Sequence, residues 1–171
     1  MEPPRAAGLF ERNHLAVYRF LRRATGDGPA AEDLTQEVFL RIVRGLDRYE
    51  DRLRERAWVF RIARNVLIDR HRRTQRTPPD LPLDAVPDPA GDGRQTETIA
   101  LQEALAGLRE EEREAFLLRE VAGLGYEEIG PIVDATPDAV RMRIYRARAS
   151  LRAWLGGSAG TAVGARRETV R

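Results

Sequence analysis

Neither cysteine nor lysine occurs among the 171 residues, and histidine, tryptophan and methionine appear only twice each. A chain without cysteine forms no disulfide and offers no thiolate to a metal. His14 and His71 are the sole imidazoles, and no carboxylates cluster at metal-ligand spacing. No metal site, cofactor or catalytic centre is therefore expected, and a non-enzyme is the reading. Long apolar runs are missing too. The N-terminal MEPPRAAGLFERNHL has no apolar core of signal-peptide length, and no window approaches a membrane span. The expectation is a soluble, cytoplasmic protein without membrane insertion. Convincing strand alternation is also absent, which leaves helical periodicity as the organising signal.

Every one of the 29 basic residues is arginine, against 27 acids, for a formal charge of +2. Arginine suits bidentate phosphate contact, although a GC-rich coding bias explains exclusive arginine usage more simply. The informative quantity is local charge. Residues 1–75 carry 16 arginines and 11 acids, residues 98–155 carry 8 and 10. A basic first half and a more acidic second half follow, with charge segregated further inside each.

Apolar spacing predicts a helix over Leu9–Thr25, built on Leu9, Phe10, Leu15, Val17, Tyr18, Phe20 and Leu21, that stops at Gly26-Asp27-Gly28-Pro29. A second helix over Ala30–Arg48 repeats Leu34, Val38, Ile42 and Leu46 at four-residue steps. Tyr49–Arg56 is polar and reads as a loop or broken helix start. The run WVFRIARNVLIDRHRR, Trp58–Arg73, then forms a helix with Val59, Ile62, Ala63 and Val66 inward. Five prolines between Thr77 and Thr96, with Gly91-Asp92-Gly93, give a flexible linker that lacks the apolar density for a core. Beyond it come Thr98–Leu108, the acidic Arg109–Arg119, Tyr126–Val133, a turn at Asp134-Ala135-Thr136, and a helix over Pro137–Leu155. Thr136 is a suitable cap for that helix and Pro137 a suitable first residue. Pro131 falls inside the preceding helix, where proline costs about 3 kcal/mol, and predicts a kink. The expected architecture is all-α: a domain over residues 1–76, a flexible linker over 77–97, a second domain over 98–155 containing a helix-turn-helix, and a disordered tail over 156–171.

Three patches carry chemistry. On the Trp58–Arg73 helix, Trp58, Arg61, Asn65 and Arg72 project away from the apolar face, with Arg64 and Arg73 at its margin. From Arg61 to Arg76 there are six arginines and one acid. A cationic helix edged by an aromatic suits a nucleic-acid backbone with an unstacked base; a solvated basic face around a buried tryptophan is the plainer alternative. In the last helix, Val140, Ile144, Ala147 and Leu151 point inward, and Arg141, Tyr145, Arg148 and Arg152 outward. Thr136–Leu155 holds five arginines and one acid, whereas Thr98–Ala135 holds three and nine. Asp138, Arg141 and Met142 near the start of this helix are the candidates for base edges, Arg143, Arg146 and Arg148 for phosphates, and Thr136 and Tyr145 join them as candidate DNA-binding residues. A helical hairpin with a solvated basic face stays open as the alternative. The third patch is acidic: Asp33, Gln36, Glu37 and Leu40 lie off the buried stripe of their helix, with Arg41 beside them. It suits a basic helical partner, or is an ordinary surface with Glu37 and Arg41 paired, worth about 0.2–0.5 kcal/mol.

The three blocks EDLTQEVFLRIVRGLDRY, AWVFRIARNVLIDRHRR and GYEEIGPIVDATPDAVRMRIYRARASLR, in this order and spacing, resemble bacterial RNA polymerase sigma factors of the extracytoplasmic-function (ECF) group. The resemblance covers about residues 10–75 and 100–155. It implies a dissociable specificity subunit of core RNA polymerase. Asp33, Gln36, Glu37, Leu40 and Arg41 would dock on the clamp helices of the largest subunit. Tyr49, Arg52, Trp58, Arg61, Arg64, Asn65, Arg72 and Arg73 would hold the −10 element of promoter DNA, and the helix-turn-helix would read the −35 element. An anti-sigma factor is a common partner in that family. Departures from its pattern are the arginine-rich loop at Arg52, Arg54 and Arg56, Asp134 where glycine is usual, Arg141-Met142 where lysine-serine is common, and Pro131 in place of a charged residue. A one-component helix-turn-helix regulator is the competing reading; it leaves the Trp58–Arg73 helix and the acidic row unexplained.

Overall fold

The computed structural model describes residues 3–50, 54–76 and 93–164, with side chains described over 5–50, 54–76 and 98–157. Seven α-helices make up these residues: α1 (Pro3–Thr25), α2 (Gly28–Gly45), α3 (Glu55–Arg76), α4 (Gly93–Ala106), α5 (Glu110–Glu120), α6 (Tyr126–Val133) and α7 (Pro137–Gly164), with a 3-10 turn at Leu46–Arg48 after α2. No strand occurs among the described residues, as the all-α expectation required.

Local chemistry explains the boundaries. Gly26 takes φ +73°, which ends α1, and its N–H reaches the Arg22 carbonyl at 3.0 Å. The Asp27 side chain then accepts the Ala30 N–H at 3.1 Å and caps α2. At the other end of the chain the Thr136 hydroxyl accepts the Ala139 N–H at 3.2 Å, with Pro137 as first helical residue.

The α1–α3 group packs on Leu9, Val17, Phe20 and Leu21 of α1, Leu34, Val38, Phe39 and Ile42 of α2, and Val59, Phe60, Ala63 and Val66 of α3. Phe20 meets Phe60 edge-on, centroids 5.5 Å apart. Phe60, wholly buried, joins this face, and Ile62 packs against the core half-buried. Phe10 and Leu15 lie largely at the surface. In the second group, α4–α7, the inward stripe Val140, Ile144, Ala147 and Leu151 is buried as its spacing predicts.

Several boundaries differ from the sequence reading. Helix α1 starts at Pro3 rather than Leu9, α2 ends at Gly45 with a tightened last turn, and α4 takes in Gly93 from the expected linker. The remaining linker residues, 77–92, lie outside the described residues. Helix α7 runs on to Gly164, so the segment expected to be a disordered tail from Gly156 is helical to that point. No proline interrupts it, and each glycine costs only about 1 kcal/mol against alanine; residues 165–171 lie outside the described residues. Pro131 lies inside α6 with an exposed ring, two residues before the helix ends, and as its sixth residue has no N–H to offer the Glu127 carbonyl.

The two groups are not separate bodies. Helices α4 and α5 contact α1, α6 contacts α3, and one continuous buried cluster runs through both.

Candidate partner and nucleic-acid interfaces

The acidic patch sits on the outer face of α2. Asp33 and Gln36 are exposed and Leu40 is 52% exposed, as its position off the Leu34–Val38–Ile42 stripe requires. Glu37 and Arg41 are drawn inward: the Arg41 Nε donates to Glu37 at 2.7 Å, and its Nη1 to Asp69 of α3 at 2.8 Å. These two hydrogen bonds, to Glu37 and then Asp69, push the Arg41 pKa up, while partial burial opposes them. Arg41 thus ties α2 to α3 as well as flanking the patch. Sequence reasoning missed the apolar neighbours. Phe10, His14, Tyr18, Phe39 and Val43 line a shallow groove beside Leu40, and Phe10 stacks on His14 at 4.7 Å. One signal was present: Val43 is a large apolar residue that the Leu34–Val38–Ile42–Leu46 stripe does not absorb.

On α3, Arg61, Asn65, Arg72 and Arg73 are exposed along one side of the helix. Trp58 is half-buried, and its ring stacks on Tyr49 at 4.4 Å and 20°. Gly45 lies beneath it, where a Cβ would stand 3.5 Å from the indole. One face of the indole is therefore occupied by the protein. Arg5 holds Tyr49 from the other side of the chain, donating to its carbonyl at 3.1 Å. Arg52 lies outside the described residues. Arg64 faces α5 rather than solvent: its Nε donates to Glu114 at 2.5 Å, with the two side chains 23% and 16% exposed. Beside it, Arg56 donates to the Ala122 carbonyl. Neither contact could be found by spacing within one helix, since the partners lie 50 and 66 residues away.

The third patch is a helix-turn-helix formed by α6, the Asp134–Thr136 turn and α7. Asp134 takes φ 52°, ψ 53°, the left-handed region for which glycine is the cheaper residue. Gly130 is required by a close approach: a Cβ there would stand 2.7 Å from the Ala135 carbonyl oxygen. Thr136, Asp138, Arg141, Met142, Tyr145, Arg146 and Arg148 are all exposed, with Tyr145 62% exposed. Arg143 is half-buried, 3.4 Å from Glu111. The Arg141 guanidinium lies over the Tyr126 ring at 5.1 Å, which Arg119 also approaches at 5.0 Å. Arg148 bonds to Glu120, and that hydrogen bond raises its pKa. On α7 the exposed Arg141, Tyr145 and Arg148 share one side of the helix. No group of three or more potential metal ligands occurs among the described residues, and no helix there is long and apolar enough to cross a membrane.

A basic helix with an aromatic edge, a helix-turn-helix with a cationic second helix, and a polar, acidic row on α2 together fit the class of DNA-directed transcription proteins. Residues 9–77 match the family described as Sigma-70 region 2, and residues 98–151 match Sigma-70, region 4. The chain is 37% identical over 155 residues to the RNA polymerase sigma factor CarQ of Myxococcus xanthus, covering 86% of this chain and 87% of that protein. It is 38% identical over 151 residues to the ECF RNA polymerase sigma factor SigE of Mycolicibacterium smegmatis, covering 81% of this chain and 57% of that one. The solved sigma factor RpoE of Bartonella quintana, in complex with the anti-sigma factor NepR, shares the fold at TM-score 0.69 and 23% identity, over 86% of this chain and 94% of that chain. The chain belongs to the ECF group of RNA polymerase sigma factors, the subunits that direct the polymerase to promoters.

Proposed function

We propose that the three patches divide the work of a sigma factor: α2 docks core polymerase, α3 holds the −10 strand, and α7 reads the −35 duplex. The observation that carries this is the separation of exposed side chains by chemistry: an acid, an amide and a leucine (Asp33, Gln36 and Leu40) on α2, apart from the arginine rows of α3 and α7. Residues 1–76 would form the docking and −10 domain, and residues 98–155 the −35 domain. Opening a duplex costs a few kcal/mol per base extruded, and a protein without nucleotide hydrolysis must offset that by trapping unstacked bases. In α3 the exposed Arg61, Arg72 and Arg73 supply backbone attraction, Asn65 a donor–acceptor pair, and the Tyr49–Trp58 stack a rigid aromatic wall. On α7, Arg141 and Met142 stand nearest the base edges, and Arg146 and Arg148 serve phosphates.

This assignment gives the chain no chemistry of its own and places it with the nucleoid in the cytoplasm. An anti-sigma factor, the class of protein that holds the Bartonella quintana relative, is the regulatory partner we assign to it. The deciding test is core binding. Asp33→Arg alters an exposed side chain outside every stabilising contact described above, so its fold should persist. It should abolish co-elution with core polymerase and run-off transcription while melting as the wild type; unchanged co-elution would sink the docking role of α2.

A further inference from the structure

The first helix group buries one polar side chain that no role above accounts for. Asn13 of α1 is 2% exposed, and its Nδ2 donates to the Leu9 carbonyl at 3.0 Å and to Glu55 at 3.2 Å. Glu55 is the first residue of α3. Arg12 closes a fork on the same carboxylate, Nε to Oε1 at 3.1 Å and Nη2 to Oε2 at 3.0 Å. Gly8 gives the fork its room, since a Cβ there would stand 2.9 Å from Arg12 Nη1. Two turns before Arg12, Arg5 donates to the Tyr49 carbonyl. Seven residues apart, Arg5 and Arg12 share one side of α1. One helix face therefore grips the chain at Tyr49, just after the 3-10 turn, and again at Glu55, where α3 begins. Residues 51–53 lie outside the described residues.

We propose that Arg5, Arg12 and Asn13 are positioning residues for −10 recognition: they fix Tyr49 and Glu55 in place before the strand arrives. The proposal rests on the assignment of Tyr49, Trp58 and α3 to that strand. Tyr49 stacks on Trp58, so holding its carbonyl holds the aromatic wall. Glu55 opens the helix that bears Arg61 and Asn65, so the fork fixes the first turn of that helix against α1. Stability alone is a poor account of the fork. Phe20 and Phe60 already join α1 to α3 in the core. The Arg12 side chain is 60% exposed, and an ion pair that open to water contributes little. What a fork does supply is direction: two parallel bonds and a buried amide admit one placement of the carboxylate. Groups already placed lose no such freedom when a ligand binds, and affinity is higher accordingly.

Reconstituted holoenzyme is titrated with two fluorescent single strands. One is selected by the wild type from a pool randomised over the −10 element; the other is an oligothymidine of equal length. Arg12→Gln opens the fork. Gly8→Ala displaces the same guanidinium from the neighbouring turn while favouring α1 as a helix. Each should weaken binding of the selected strand by about threefold to tenfold and leave oligothymidine and core affinity within about twofold. Gly8→Ala should do so without lowering Tm, a result that a purely structural fork does not produce. Arg19→Gln, the same change at an exposed site on α1, should alter neither strand. Unchanged binding of the selected strand by both Arg12→Gln and Gly8→Ala overturns the positioning. Equal loss on both strands also overturns it and makes Arg12 a direct phosphate contact. Arg61→Ala tests the underlying assignment: if it leaves both strands bound as before, the α3 role falls and the positioning with it.

Discussion

Gly130 sets a direct contest between local preference and tertiary contact. Replacing it with alanine removes a flexible residue from a helix and should favour α6 by about 0.5–1 kcal/mol. Against this, the new Cβ would stand 2.7 Å from the Ala135 carbonyl oxygen and 3.8 Å from the Pro137 nitrogen. Both neighbours are backbone, so no side chain can swing aside. The turn must retreat by a few tenths of an ångström, or α6 must tilt. Such overpacking costs about 1–3 kcal/mol, so crowding should win by about 1 kcal/mol. For a chain of this size that lowers Tm by about 2–4 °C. The turn also sets the angle between α6 and α7, so the shift moves Arg141 and Met142 relative to the groove. On the proposed −35 role, disengaging one base-reading side chain costs about 1–3 kcal/mol, about fivefold to 150-fold in affinity for a selected −35 duplex. Thermal melting by circular dichroism and fluorescence anisotropy on that duplex measure both effects. A higher Tm with unchanged duplex affinity would show that helix preference governs and that the close approach does not constrain the motif.

Other substitutions separate structural from functional roles. Trp58→Ala should lower Tm as well as open-complex formation, because the indole rests on Tyr49 and most of its surface is covered; a loss of about 2–3 kcal/mol is expected, below the value for a fully buried aromatic. Trp58→Phe should recover most of the Tm, and an unchanged melting point for Trp58→Ala would free the ring for DNA alone. Arg141→Ala should relax discrimination at one −35 position by about 1–3 kcal/mol, whereas Arg148→Ala should weaken every promoter variant alike and shallow the salt dependence of binding. Promoter competition across a set of point-mutant duplexes distinguishes the two; a uniform loss for Arg141→Ala would reassign it to a phosphate.

Periodicity carried much of this protein. The Val140–Ile144–Ala147–Leu151 stripe, the exposure of Leu40, the cap at Thr136 and the charge on α7 all follow from residues within a turn or two of one another, and local geometry suffices to place them. Phe60 shows where that reasoning weakens. A face built only on three- and four-residue steps from Val59 left out Phe60, which packing against Phe20 of α1 brings into the core. The end of α7 shows it again: an Ala- and Gly-rich composition suits either coil or helix, and continuation from a stable helix settled it as far as Gly164.

What no local pattern contained is the fate of the arginines. Arg61, Arg64 and Arg72 belong to one basic helix by sequence, yet Arg61 and Arg72 face solvent and Arg64 faces Glu114. Arg41 likewise pairs with Glu37 as an i,i+4 neighbour, but its second bond to Asp69 exists only because α2 lies against α3. Charge and helix propensity are properties of short segments and are legible in the chain. Which cation meets which carboxylate depends on how helices far apart in sequence are packed, and that packing is decided by the summed burial of apolar faces, to which the ion pairs then adapt.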